Sequence, residues 1–197
     1  MVSTQISRKN SHLFKLAVST FGFMTLTTML PRFALASRNV QGVANISSTR
    51  KDETIIHTCA TTSYEACTLY IGTADLDTTI RSDGKVIIGS ARQRLKVEAD
   101  FVQVAATRGR SELSGTNGVW IQSDVGTYSK IESESGNITV DGDVSLSFLT
   151  ALQGRVTVNG DLIDAARSGE VGITAQEVTV TGDFDPEYTA ILELAGQ

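Results

Sequence analysis

The sequence predicts an all-β protein, a parallel β-solenoid (β-helix) with a short irregular N-terminal lead-in and a C-terminal cap. The first observation behind this is a seven-residue phrase that occurs three times: Ile138-Thr139-Val140-Asp141-Gly142-Asp143-Val144, Val156-Thr157-Val158-Asn159-Gly160-Asp161-Leu162 and Val178-Thr179-Val180-Thr181-Gly182-Asp183-Phe184. The copies start 18 and then 22 residues apart, the length of one rung in a stacked repeat. The second is that strands are short and separated almost wholly by Gly, Asn, Asp and Ser, the residues that tolerate tight turns. The third is negative: no apolar helical period holds over three turns between Arg38 and Gly169, and proline occurs only at Pro31 and Pro186. Backbone ladders can therefore run uninterrupted.

Within the phrase the apolar residues alternate, so two β-branched side chains point inward before the glycine and one apolar side chain after it. Gly142, Gly160 and Gly182 share that parity. Each is expected at a corner where a Cβ would collide with the core. Asp143, Asp161 and Asp183 follow as corner residues whose carboxylates bond a nearby backbone N–H.

Taken in order, residues 1–36 contain Arg8, Lys9, Lys15 and Arg32 but no acidic residue. A mostly apolar stretch from Leu16 to Leu30 leads to Pro31 and Ala34-Leu35-Ala36. Small residues at −3 and −1 predict a cleaved signal peptide ending at Ala36. Its removal takes four of the 17 basic residues and none of the 22 acidic ones, leaving 13 against 22 and a net charge of −9. That balance argues against nucleic acid as a partner. No later apolar run is long enough for a membrane helix, so no integral membrane segment is expected after cleavage.

Residues 37–53 are polar and weakly patterned, and read as a flexible lead-in; 54–197 reads as the solenoid domain. Strand patterning begins at Thr54-Ile55-Ile56 and resumes at Leu69-Tyr70-Ile71. Leu76 and Ile80 mark another stretch, then Val86-Ile87-Ile88 between Gly84 and Gly89. From Leu95 to Phe101 the odd positions are apolar, followed by Val102 and Val104. Gly118-Val119-Trp120-Ile121, Val125-Gly126-Thr127-Tyr128 and Ile131 form the middle block. Residues 161–170 read as a helical turn or a bulging corner. The apolar Tyr188 to Leu194 is the candidate cap over an open end. Short strands with Asp-Gly turns also suit a β-sandwich or jelly roll. Hairpins do not require the whole phrase to recur, whereas stacking of like on like does. Rungs of about 20 residues spaced ~4.8 Å apart predict about seven turns.

The stretch Leu152-Gln153-Gly154-Arg155-Val156-Thr157-Val158-Asn159-Gly160-Asp161-Leu162, with Gly169-Glu170-Val171-Gly172-Ile173-Thr174-Ala175, resembles the repeats of filamentous-haemagglutinin-type and autotransporter adhesins. The resemblance covers about residues 84–184 and is clear from 136 onward. It implies an exported, right-handed parallel β-helix used for surface adhesion. A weaker similarity is to the head domains of small secreted adhesins with Gly-Ile-Asn-type repeats.

Candidate chemistry is sparse. Cys59 and Cys67 are the only cysteines and are expected to form a disulfide in an oxidising compartment. Two thiols without a neighbouring ligand set do not complete a zinc shell, and His57 reads as a surface residue. No metal or other cofactor is expected. Arg92, Arg94 and Lys96 share the parity of one strand face and form a candidate stripe for an acidic glycan, or a solvated edge that discourages aggregation. Trp120 points opposite to Val119 and Ile121 and is either a core residue or a ring for stacking on sugars. No Ser-His-acid set and no phosphate-binding fingerprint is present.

The expectation from sequence is an exported non-enzymatic module for surface adhesion, glycan binding or self-assembly. Its partner would be a surface glycan, a protein or another copy of itself. Its place would be secreted, periplasmic or at the cell surface. The alternative is a small carbohydrate-active β-helix enzyme that uses the column of aspartates.

Overall fold

In a computed structural model that describes residues 37–60, 66–75, 77–163 and 171–183, together with the backbone of 190–194, the chain is a parallel β-solenoid of about seven turns. Seventeen strands lie among the described residues, numbered here in chain order, with no α-helix. β1 (Ser37–Gln41), β3 (Thr54–Thr58), β5 (Thr78–Ser82), β7 (Leu95–Ala99), β9 (Ser111–Gly115) and β11 (Lys130–Ser133) pair in succession as one parallel face, face 1. β2 (Ala44–Ser48), β4 (Thr68–Ala74), β6 (Lys85–Ala91), β8 (Phe101–Val104), β10 (Gly118–Ile121) and β12 (Asn137–Val140) form the second, face 2. The long strands β14 (Phe148–Val158) and β16 (Val171–Val180) serve both: residues 148–151 and 171–175 extend face 1, and 155–158 and 177–180 extend face 2. β17 (Ala190–Leu194) lies on the first part of β16, where the cap is expected. β13 (Val144–Ser145) pairs with β15 (Leu162–Ile163) as a short third side.

The recurring phrase occupies one rung per copy. Ile138 stands beside Val156 and Val156 beside Val178, and Val140, Val158 and Val180 follow in the same register. This like-on-like stacking builds one continuous core. On face 1 its spine is the column Ile55, Ile80, Val97, Leu113, Ile131, Leu149 and Ile173. On face 2 the matching column runs Ile46, Ile71, Ile88, Val104, Ile121, Val140 and Val158. Each such burial is worth roughly 1.5–3 kcal/mol before chain entropy is subtracted, so the stack is stabilised rung by rung.

The stack begins earlier than polar composition predicts. Residues 37–53 carry β1 and β2, paired in parallel with β3 and β4, rather than a flexible lead-in. The cause of the weak pattern is position: Arg38, Val40 and Ala44 are inward but only half-buried, since no described rung covers their outer side. Arg38 instead pairs with the buried carboxylate of Glu53 at 3.0 Å, and Glu53 also accepts the Arg50 N–H at 2.7 Å.

A second difference lies at Asp100. Leu95, Val97 and Ala99 point inward on β7, then the chain turns and Val102 and Val104 point inward on β8. Parity inverts at the corner, so Phe101 faces outward, with the Lys85 ammonium 5.0 Å from its ring centre. The segment 125–128 is a connection rather than a strand: Val125 makes a single bridge to Val144, and Tyr128 is exposed in the left-handed region at φ 61°. Beside it, buried serines stack. Ser111 N–H donates to Ser129 Oγ at 2.9 Å, Ser129 N–H donates to Ser147 Oγ at 3.2 Å, and the Ser129 hydroxyl donates to the Gly126 carbonyl at 2.8 Å. The expectations for residues 1–36, Leu76, Phe184 and Tyr188, and most of 161–170, lie outside the described residues.

Candidate functional site

The Gly-Asp corners form a ladder along the stack. Asp143 N–H donates to Asp124 Oδ1 at 2.9 Å, Asp161 N–H to Asp143 Oδ1 at 2.8 Å, and Asp183 N–H to Asp161 Oδ1 at 2.6 Å. A return bond accompanies each: Val125, Val144 and Leu162 donate to the carbonyls of Asp143, Asp161 and Asp183. Each carboxylate therefore bonds the amide of the next rung rather than of its own turn. The glycines matter for the same vertical reason. A Cβ on Gly160 would lie 2.5 Å from the carbonyl carbon of Gly142, and one on Gly182 would meet Gly160 and the Asp161 carboxylate. The obstacle is the preceding rung, not the core as expected from parity. None of the three has a positive φ, so the corner selects glycine for closeness of approach. Asp124 is a ladder member that the search for Gly-Asp misses, because Ser123 stands where the other rungs have glycine. Relaxing glycine to any small residue would have found it.

Face 1 carries charge on its outer side. Arg92, Arg94 and Lys96 do not share a strand face, contrary to expectation. β6 ends at Ala91 and β7 starts at Leu95, so the two arginines sit on the corner and only Lys96 on the sheet. All three lie near carboxylates: Arg92 is 4.0 Å from Asp75, Arg94 is 3.3 Å from Asp77, and Lys96 is 3.0 Å from Glu98. Arg81 also reaches Glu98 at 3.2 Å, and Arg110–Glu112 and Lys130–Glu132 repeat the pairing at 2.8 and 2.7 Å. The Lys96 hydrogen bond, with the charges of Lys96 and Arg81, holds the Glu98 carboxyl below its ordinary value against a smaller opposing effect of burial. A shallow depression of about 190 Å³ between Asp77, Arg94, Lys96 and Glu112 is lined by both signs of charge.

Face 2 is different. Its central outward column runs Tyr70, Ile87, Gln103, Trp120, Thr139 and Thr157. Val119 and Ile121 are buried while Trp120 is half-exposed, so the tryptophan stands on the outer surface. Its indole N–H donates to Asp141 Oδ2 at 2.6 Å, and the Asn159 amide donates to the other oxygen of Asp141 at 2.9 Å. Gln103 and Gln122 bond to each other at 3.4 Å on the preceding side. Tyr70, 42% exposed, is three rungs from Trp120, about 14 Å at the usual strand spacing. Phe101 lies beside this column, its ring against Gly118. Tyr70, Phe101 and Trp120 thus share one flat face with amide and carboxylate groups.

Near the N-terminal end Cys59 and Cys67 form the expected disulfide. His57 is not a surface residue. It points inward from β3, 1% exposed, with Nε2 donating to the Gly42 carbonyl at 2.6 Å and Nδ1 2.7 Å from Ser82 Oγ. The carbonyl can only accept, so Nε2 carries a proton, and in the neutral ring the Ser82 hydroxyl donates to Nδ1. Nε2 is 3.6 Å from Cys67 Sγ, which gives the two sulfurs a neighbouring nitrogen donor that sequence spacing did not promise.

No helix among the described residues is long and apolar enough to cross a membrane. No protein-family model, curated protein or solved structure matches this chain.

Proposed function

We propose that this chain is an exported, non-enzymatic β-solenoid module that binds a neutral surface glycan on face 2. The observation that carries the reading is Trp120: a tryptophan held outward on a rigid sheet, its N–H fixed by Asp141, among exposed amides and a second aromatic column position at Tyr70. An aromatic face offers the C–H side of a pyranose a stacking surface, and flanking amide and carboxylate oxygens and nitrogens bond its hydroxyls. A neutral ligand is favoured over an acidic one because the cations of face 1 stand in ion pairs. Export is supported by the basic, apolar and Ala34-Leu35-Ala36 sequence of residues 1–36.

The test is binding of the secreted protein to an array of neutral and acidic glycans, for wild type, Trp120→Ala and Lys96→Ala. Binding to neutral glycans that falls at least about tenfold in Trp120→Ala, a loss of about 1.4 kcal/mol, and persists in Lys96→Ala supports the reading. Binding confined to acidic glycans and lost in Lys96→Ala overturns it in favour of face 1. No glycan binding together with concentration-dependent growth in sedimentation overturns it in favour of self-assembly.

A further inference from the structure

Beyond glycan binding, the cluster His57, Cys59 and Cys67 has the geometry of a metal site that the disulfide closes. We propose that, when the Cys59–Cys67 bond is reduced, the two thiolates and His57 Nε2 bind one thiophilic d10 cation, Zn²⁺ or Cu⁺, and that reoxidation releases it.

The three donor atoms lie within 4.8 Å of one another. The Cys67 Sγ to His57 Nε2 separation of 3.6 Å equals the edge of a metal shell, because Zn–S of about 2.3 Å and Zn–N of about 2.0–2.1 Å at a tetrahedral angle set S···N near 3.6 Å. Two sulfurs and an imidazole are the soft and borderline donors that such ions select over Mg²⁺ or Ca²⁺. His57 is also held as a ligand histidine usually is, with its far nitrogen fixed by a neighbour. Ser82 Oγ, 2.7 Å from Nδ1, can accept a hydrogen bond from Nδ1–H as well as donate one to the bare nitrogen. The Nε2 proton can therefore leave to solvent while Nδ1 takes one up and donates to Ser82, which gives up the Gly42 bond and frees the Nε2 lone pair for the ion. Cys67 and His57 are buried and Cys59 is partly exposed, which leaves one side open for a reductant and an incoming ion.

The chemistry balances. A dithiol reductant supplies two electrons and two protons, the S–S bond becomes two thiols, and the reductant becomes a disulfide. The ion then displaces both thiol protons to solvent and takes no electrons itself.

The full chain, oxidised or reduced with a phosphine (which takes oxygen from water to become the oxide), is titrated with Zn²⁺ and separately with Cu⁺ against a chromophoric chelator. Bound metal is counted after gel filtration. One equivalent of either ion on the reduced chain and none on the oxidised chain supports the proposal and names the ion. Affinity should fall at least tenfold in His57→Gln, which keeps both thiols and whose amide can still donate to Gly42. It should also fall in Cys59→Ser, which keeps the histidine; circular dichroism checks that both variants fold. Equal binding by oxidised and reduced chain, no binding by the reduced chain, or unchanged affinity in a folded His57→Gln each overturns it.

Discussion

The carboxylate of Asp143 accepts the amide N–H of Asp161 at 2.8 Å, one rung further along the stack, and Val144 N–H returns a bond of 2.9 Å to the Asp161 carbonyl. The acceptor role needs an oxygen and not a charge, so Asp161→Asn should keep the bond to Asp183 N–H and alter stability by under about 1 kcal/mol. Gly160→Ala is expected to cost at least about 3 kcal/mol, since its methyl would occupy the space of the Gly142 carbonyl and backbone cannot give way as a flexible side chain can. Denaturant melts of the two variants check this. A harmless Gly160→Ala would mean that the rungs can part at this corner.

Val158 is fully buried between Val140 and Val180, whereas Thr157 stands on the outer side between Thr139 and Thr179. Val158→Asp places a carboxylate in the core with no partner and should cost at least about 3 kcal/mol. Thr157→Asp should cost under about 1 kcal/mol, as a surface change does. Similar melting shifts for the pair would contradict the inward and outward assignment.

These two positions were legible in the sequence because strict alternation and an adjacent glycine fix both parity and corner. What was not legible depends on register or on an end. Ser37–Gln41 looks like a solvated lead-in because Arg38 and Val40 are covered from one side only among the described residues. The run of apolar odd positions from Leu95 to Phe101 does not show the change of side at Phe101, because the corner at Asp100 inverts parity without glycine or proline to mark it. His57 reads as exposed because the groups that satisfy it, Ser82 and Gly42, are 25 and 15 residues away. For Trp120 the alternation with Val119 and Ile121 gave the side of the sheet as outward relative to its neighbours, but not whether that side was covered. Its bond to Asp141 spans 21 residues, and only a rung length settles such a contact.

The Glu98 carboxyl, held low chiefly by its hydrogen bond to Lys96, gives face 1 a pH dependence. A depressed folded pKa means that the pairing stabilises the fold above the ordinary value of 4.5 and is lost as pH falls through the lower folded value. The pair is about half exposed, so screening keeps the effect under about 1 kcal/mol. Wild type should exceed Glu98→Gln in melting temperature at neutral pH, and the gap should close in acid and in about 1 M salt. A gap independent of both pH and salt would show that the ion pairs contribute nothing there.

The serine column supplies the last contrast. Ser129 Oγ accepts the Ser111 N–H at 2.9 Å and donates to Gly126 at 2.8 Å, inside the stack. Ser111 Oγ, equally buried, is the one such side-chain atom among the described residues without a hydrogen-bond partner. Ser129→Ala therefore strands a buried backbone N–H and should cost about 1–3 kcal/mol. Ser111→Ala removes a polar group that is already unpaired, while its own N–H keeps its bond to Ser129. It should be neutral or stabilise the fold by up to about 1 kcal/mol. The two substitutions delete the same atom from neighbouring rungs, so differences in side-chain size and propensity cancel. Equal losses in calorimetry would mean that Ser111 Oγ has a partner, an ordered water being the obvious one, and the hydroxyl would then belong to the ladder after all.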